Sequence, residues 1–277
     1  MVTRRGAMRV AAAAVVGLGA ALAGRAGWRM MQLDAARDLY MGGLAPPAEA
    51  MNVYHLGHSL VGRDMPAMLA QLAPAGHAFS SQLGWGAPLR AHWDPDIPVN
   101  GFADENDHAN HAPARVAIGS GDFDAVVMTE MVELRDAIRF HDSATYLAEW
   151  ARLARGARGD VRLYLYETWH NTDDPAGWLA RIDADYGRLW RDTIALPAAL
   201  EADAPVYIVP GGQVMAAFVR AVEAAGGVGN VAGRDALMAR TANRPLVVGI
   251  IEPRHALIFA LTLLALSFVV LWAGANL

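Results

Sequence analysis

The chain of 277 residues has no cysteine and no lysine, so all 23 of its basic residues are arginine. The absence of cysteine excludes disulfides, thiolate metal sites and a cysteine nucleophile. Against 28 acidic residues the scattered arginines leave a formal charge of −5. That balance offers no basic patch, so no nucleic-acid partner is expected. Charge of either sign is sparse at 18% of residues, while apolar residues make up 54% and mean hydropathy is +0.20. The excess apolar content is concentrated at the two ends.

At the start, Arg4, Arg5 and Arg9 precede an uncharged run from Val10 to Ala23 that closes on Ala21-Leu22-Ala23. A positive n-region, an apolar h-region and a small-residue site are the parts of a secretory signal. Residues 1–30 are therefore expected to be a signal peptide or an uncleaved signal anchor. At the other end, Ala256–Ala275 is a run without a charge. At ~1.5 Å rise per residue its length matches a hydrocarbon core of ~30 Å, and it has no polar face to offer water. A membrane-spanning helix over 256–275 is the expectation. Both ends point to an exported, periplasmic or membrane-associated protein.

Between them, residues 45–233 read as one globular domain. Short β-rich runs at Met51–Leu56, His77–Gln82, Ala125–Thr129, Val161–Tyr166 and Val206–Val209 alternate with stretches of helical apolar spacing. Those stretches are Met65–Leu72, Ser143–Ala157, Trp178–Leu196 and Gln213–Ala225. Strand–helix alternation predicts an α/β fold with a parallel sheet covered on both faces. Residues 87–121 are polar and read as loop. There, Asp104, Asp107, His108 and His111 form an oxygen- and nitrogen-rich cluster, read as a solvated loop rather than a metal site.

Chemistry in an open α/β sheet gathers at the carboxyl ends of the strands. The first strand runs into Gly57-His58-Ser59-Leu60, followed by Asp64 and Pro66 at the start of a helix. A serine on such a turn exposes its hydroxyl and brings its own N–H to the same space, combining nucleophile and oxyanion donor. The stretch VYHLGHSLVGRDMPAMLAQLAPAG resembles the opening block of the SGNH (GDSL-like) hydrolases, with His58 where a Gly-Asn-Ser turn carries asparagine. The resemblance covers about residues 51–233. It implies a flavodoxin-like three-layer sandwich and ester hydrolysis with Ser59 as nucleophile, with no metal or organic cofactor.

The family's other blocks fit unevenly. Its second block implies a backbone oxyanion donor at Gly84 or Gly86, each of which is equally readable as a turn glycine. Its third block ends a strand in Gly-x-Asn-Asp, whereas this chain has Thr129-Glu130-Met131. An ionised Glu130 only accepts hydrogen bonds and would need strong desolvation to act as a donor. Trp169 is a candidate flat wall of the substrate cleft, and His170 and His58 are candidates for a base or a substrate contact. The final block, Asp-x-x-His, has its only counterpart in Glu252-Pro253-Arg254-His255, which would complete a Ser59–His255–Glu252 set.

A second resemblance competes for that end of the chain. Asp235-x-x-Met238-x-Arg240-Thr241-x-x-Arg244-Pro245-Leu246, Pro253 and the apolar run after it resemble the protoheme IX farnesyltransferases (haem O synthases) of the UbiA type, over residues 235–277. Of that family's acidic diphosphate site only Asp235 has a counterpart, since Val231 stands where the preceding aspartate falls. Arg234, Arg240, Arg244 and Arg254 flank the apolar run on its N-terminal side, which the positive-inside rule assigns to the cytoplasm. That conflicts with export of the middle domain and marks the tail as a joined prenyltransferase-like fragment. The expected partners are a small-molecule, carbohydrate or lipid ester and, through the terminal segments, a membrane. Two further readings remain: a catalytically silent binding domain of the same fold, and a membrane haem O synthase-related fragment.

Overall fold

The computed structural model describes residues 34–229 together with Gly24, Gly27, Met31, Gly233 and Arg234. The signal-like segment up to Ala23, the 256–275 run, Glu252 and His255 lie outside the described residues. Among the described residues no helix is long and apolar enough to cross a membrane.

Five strands form one parallel sheet: β1 (Asn52–His58), β2 (Ala78–Gly84), β3 (Ala125–Met128), β4 (Arg162–Tyr166) and β5 (Val206–Val209). Their order is β2-β1-β3-β4-β5, the doubly wound order in which the winding reverses between β1 and β3. One face carries Tyr54, Leu56, Val126, Met128, Leu163, Leu165 and Val206, all buried in the main core. Full burial of each leucine there contributes about 1.5–3 kcal/mol.

Helices α1 (Asp64–Leu72), α2 (Leu89–Trp93), α3 (Phe102–Asn106), α4 (Ala114–Ser120), α5 (Leu134–Phe140) and α6 (Ser143–Ala157) follow in chain order. Helix α6 shows why the core sits where it does. Leu147, Trp150, Ala151 and Ala154 recur at helical spacing and are all buried, so one stripe of the helix faces the sheet. After β4 come α7 (Trp178–Asp185), a π-helical segment (Tyr186–Ala195), α8 (Leu196–Ala202) and, after β5, α9 (Gly211–Ala224). A second apolar cluster of Trp178, Leu179, Ile182, Ala216 and Val219 joins α7 to α9.

Three features depart from the expectation. Strand β1 continues through Gly57 and His58, because both pair in register with Leu83 and Gly84 of β2. The 87–121 stretch is not loop throughout: it holds α2, α3 and α4, anchored by the buried Leu89, Asn106, Ala114 and Ile118. The single helix expected over Trp178–Leu196 widens to π winding from Tyr186. Pro197 follows and has no N–H to give, and its ring would crowd the carbonyl four residues back. Wider winding just before it moves that carbonyl away.

Both edges of the sheet are partly covered: the Ser81 N–H of β2 donates to the Asn110 carbonyl (2.9 Å) and the Ala112 N–H to the Ser81 carbonyl (3.2 Å), and one side chain bonds a further residue on each edge. On β2, Asn106 Oδ1 accepts from the Leu83 N–H (2.9 Å) and Nδ2 donates to the Leu83 carbonyl (2.8 Å). On β5, the Tyr40 hydroxyl donates to the Val206 carbonyl (2.9 Å) and accepts from its N–H (3.2 Å).

Candidate functional site

Ser59 is exposed and stands one residue beyond the carboxyl end of β1, at the reversal point of the sheet. The turn that carries it is closed by the Val61 and Gly62 N–H groups, which both donate to the His58 carbonyl (2.9 and 3.2 Å). Beneath the turn, the fully buried His58 ring donates from Nε2 to the Glu130 carbonyl (2.8 Å) and accepts the Leu60 N–H at Nδ1 (3.3 Å). Burial pushes this imidazole down to about 4, so it is neutral at pH 7. With both nitrogens engaged, His58 as placed holds the turn and has no nitrogen to offer the Ser59 hydroxyl.

A second histidine, not singled out by the sequence reading, supports the same turn. His92 on α2 donates from Nε2 to the Gly57 carbonyl (2.9 Å), and its Nδ1 accepts from Gln82 Nε2 (3.0 Å). Gln82 Oε1 in turn accepts the Ala114 N–H (2.9 Å). Desolvation lowers His92 to about 4 as well. The chain from Ala114 through Gln82 and His92 to Gly57 is therefore a relay of neutral groups that positions the strand end.

Gly84 ends β2 beside this turn. A Cβ there would overlap a Val99 methyl and crowd Ala87 and the Asn100 carbonyl, so close packing by itself favours glycine. Gly86 follows in left-handed backbone (φ 56°), with open space where a Cβ would stand. Glu130 lies past the end of β3 and is fully buried. Its Oε1 accepts from the Met131 N–H (2.8 Å) and from the Leu89 N–H (3.3 Å) in the first turn of α2. Burial raises its carboxyl to about 7, opposed by the Met131 N–H, the Ser143 hydroxyl and the Leu89 N–H. The desolvation an oxyanion donor would need is thus present, but the carboxyl is turned into the protein and tethers α2. Glu167, past β4, is the other buried acid of this edge. It is raised to about 7 by burial and accepts from the Gln213 N–H (3.0 Å).

The remaining candidates sit elsewhere. His170 is buried, with Nε2 3.5 Å from Asp185 Oδ2. Desolvation and the Arg181 cation lower its pKa, against the pull of Asp185. Arg181, itself buried, spans Glu133 (2.9 Å), Asp174 (2.6 Å) and Asp185 (3.1 Å) and so pins the loop after β4. His170 belongs to that ion-pair cluster and as placed faces no open cleft. Trp169 is partly buried and packs against the α7–α9 apolar cluster, which leaves part of its ring to solvent.

The exposed aromatic of this edge is Trp85, which the sequence reading passed over. A cleft of about 690 Å³ opens nearby, lined by Arg63, Phe102, Asp104, Asn106, Asp107 and His111. The loop acids and histidines form no group that could hold a metal ion among the described residues.

Comparison with known proteins reaches the other end of the chain. The UbiA prenyltransferase family matches residues 232–277, of which the structure describes Gly233 and Arg234. Over 42 residues, 15% of the chain, it is 57% identical to the protoheme IX farnesyltransferase of Pseudarthrobacter chlorophenolicus, and equally so to that of Paenarthrobacter aurescens. The protoheme IX farnesyltransferase of Renibacterium salmoninarum is 52% identical over the same length. The chain spans 13% of the length of these curated relatives. No solved structure matches the chain. The UbiA-like character expected of the tail therefore stands, as that of a short segment.

Proposed function

We propose that the chain joins an SGNH-type, serine-dependent ester hydrolase domain at 45–233 to a prenyltransferase-like fragment at 235–277. What supports the first part is the position of Ser59. It is an exposed serine on a braced turn at the carboxyl end of β1, where a sheet of order β2-β1-β3-β4-β5 reverses. In this reading Ser59 attacks the ester carbonyl, and the N–H groups of Ser59 and of Gly84 or Gly86 receive the oxyanion. The ester C–O bond breaks, the alcohol leaves with the proton taken from Ser59, water then hydrolyses the acyl-enzyme to release the acid and restore the serine, and no metal or organic cofactor takes part.

His58 and His92 are committed to the turn and His170 to the Arg181 cluster, and the resemblance's final block implies His255 with Glu252 as the base pair of the proposal. If the joined tail has replaced the hydrolase's own final block, His255 matches by chance and turnover is slow, because loss of a triad member can cost several orders of magnitude. Release of p-nitrophenol from a short-chain ester, by the full chain and by Ser59→Ala and His255→Ala variants, tests this. Equal rates for wild type and Ser59→Ala refute the hydrolase reading and leave the binding domain.

The family match favours a second reading, in which the tail gives the protein its role as a membrane-associated relative of haem O synthase. Against farnesyl transfer by this chain alone, only Asp235 of the acidic diphosphate set is present and the described body is a parallel α/β sheet. Farnesyl transfer to haem by membranes containing the chain would establish the second reading. Export to the periplasm or retention at a membrane follows from the two apolar ends in either case.

A further inference from the structure

We propose that the cavity lined by His92 and Arg115 binds a free α-amino acid with an apolar side chain. Ser59 is not part of its lining, so the proposal stands apart from the ester-hydrolase reading.

His92 and Gln82, which brace the nucleophile's turn, also line a cavity of about 400 Å³ between the 91–102 segment and Arg115 on α4. That volume falls within the range of small-molecule sites, roughly 300–1,000 Å³. Its most buried wall has no unmet polar demand. Gln82 Nε2 donates to His92 Nδ1 (3.0 Å), Gln82 Oε1 accepts the Ala114 N–H (2.9 Å), and His92 Nε2 donates to the Gly57 carbonyl (2.9 Å). An apolar body laid against these groups breaks none of their bonds. Trp93, Ile97, Val99 and Phe102 continue the lining with carbon. The wall is also formed in advance. The Trp93 ring meets Trp150 edge-to-face at 4.8 Å between centroids, and Pro95 and Pro98 fix φ on either side of residues 96–97. A fixed wall costs little conformational entropy on binding.

The rim selects the head group. Arg115 is exposed, with its guanidinium 4.0 Å from the Trp93 ring centroid and its Nε donating to the Trp93 carbonyl (3.2 Å). Among the described residues no carboxylate pairs with it. Asp94 lines the same cavity, and its Oδ1 accepts the Asp96 N–H (3.1 Å), which leaves Oδ2 unengaged among the described residues. A cation and an anion thus share one cavity without pairing with each other. A plain carboxylic acid would meet the guanidinium and be repelled by Asp94, and a plain amine the reverse. A carboxylate and an ammonium on one carbon meet both, while the apolar side chain takes the interior.

The test titrates L-phenylalanine into the full chain by calorimetry. Saturable binding with a Kd of about 1 mM or tighter is expected. Phenylpropionate, which lacks the ammonium, and phenethylamine, which lacks the carboxylate, should each bind about tenfold more weakly. Arg115→Gln and Asp94→Asn should each weaken L-phenylalanine about tenfold, with the melting temperature of the free protein unchanged. Ser59→Ala should bind as the wild type does, since the titration needs no turnover. Absence of saturable binding to the wild type overturns the proposal, whether or not esters are hydrolysed. So does a single-charge analogue that binds as tightly as the amino acid, or a rim variant that binds as tightly as the wild type. Binding lost in Ser59→Ala would put the ligand at the nucleophile's turn and overturn it as well.

Discussion

Replacing Glu130 by glutamine should flatten the protein's loss of stability toward alkaline pH. In the folded chain burial raises this carboxyl from 4.5 to about 7, whereas the unfolded chain returns it to its ordinary value. A raised acid binds its proton more tightly in the folded state. Its contribution is therefore fully present below about pH 4.5 and is lost as pH climbs through about 7. The shift amounts to roughly 3 kcal/mol, most of which falls between pH 5 and pH 8. Glutamine keeps an oxygen for the Leu89 and Met131 N–H groups and places its amide beside the Ser143 hydroxyl, so the α2 tether survives without the ionisation. Glu167 adds a slope of the same sign. His55, His58 and His92, all lowered to about 4, act oppositely: their contribution is present above about pH 6.5 and is lost as pH falls toward 4. Wild-type stability should peak near neutrality. Urea unfolding of the full chain at pH 5 and pH 8 measures the difference between wild type and Glu130→Gln. An identical change for both proteins would refute the claim that burial of Glu130 governs this limb.

Arg181→Met should cost about 3 kcal/mol, the expected penalty for breaking a buried ion pair, because Asp185 and Asp174 keep their charges without this cation. The same variant should raise the pKa of His170, since Arg181 now depresses it, and proton NMR of the ring would report the shift. A melting temperature within a degree of wild type would contradict the first expectation. His92→Phe should cost about 1–3 kcal/mol by leaving the buried Gly57 carbonyl without its donor, visible in the urea midpoint. It should also slow ester hydrolysis at Ser59 more than it weakens substrate binding, since what it loosens is the turn.

The longest helix and the fifth strand were legible in the sequence. Ser143–Ala157 and Val206–Val209 lie where apolar spacing and β-branched content place them. The short helices were not. Helices α2, α3 and α4 have five to seven residues, too few for a repeating apolar stripe, and they start at Pro88, Gly101 and Pro113 without a side-chain cap to announce them. The nucleophile's turn was readable from Gly57-His58-Ser59, yet its bracing by His92, Gln82 and Ala114 joins residues 57 to 114 through tertiary contacts alone. The two tryptophans make the same point. Trp85 and Trp169 both follow strand ends, and the α7–α9 cluster packed against Trp169 makes it the less exposed of the two.

The Asn106 amide takes both backbone groups of Leu83, beyond the point where residues 110–112 bond Ser81, and it belongs to the helix that walls the cleft. Widening the cleft by moving that helix would bare the Leu83 peptide groups at the edge of the sheet, an invitation to pair with another chain. The shape of the cleft and the cover of this end of the sheet are in this way tied to one side chain.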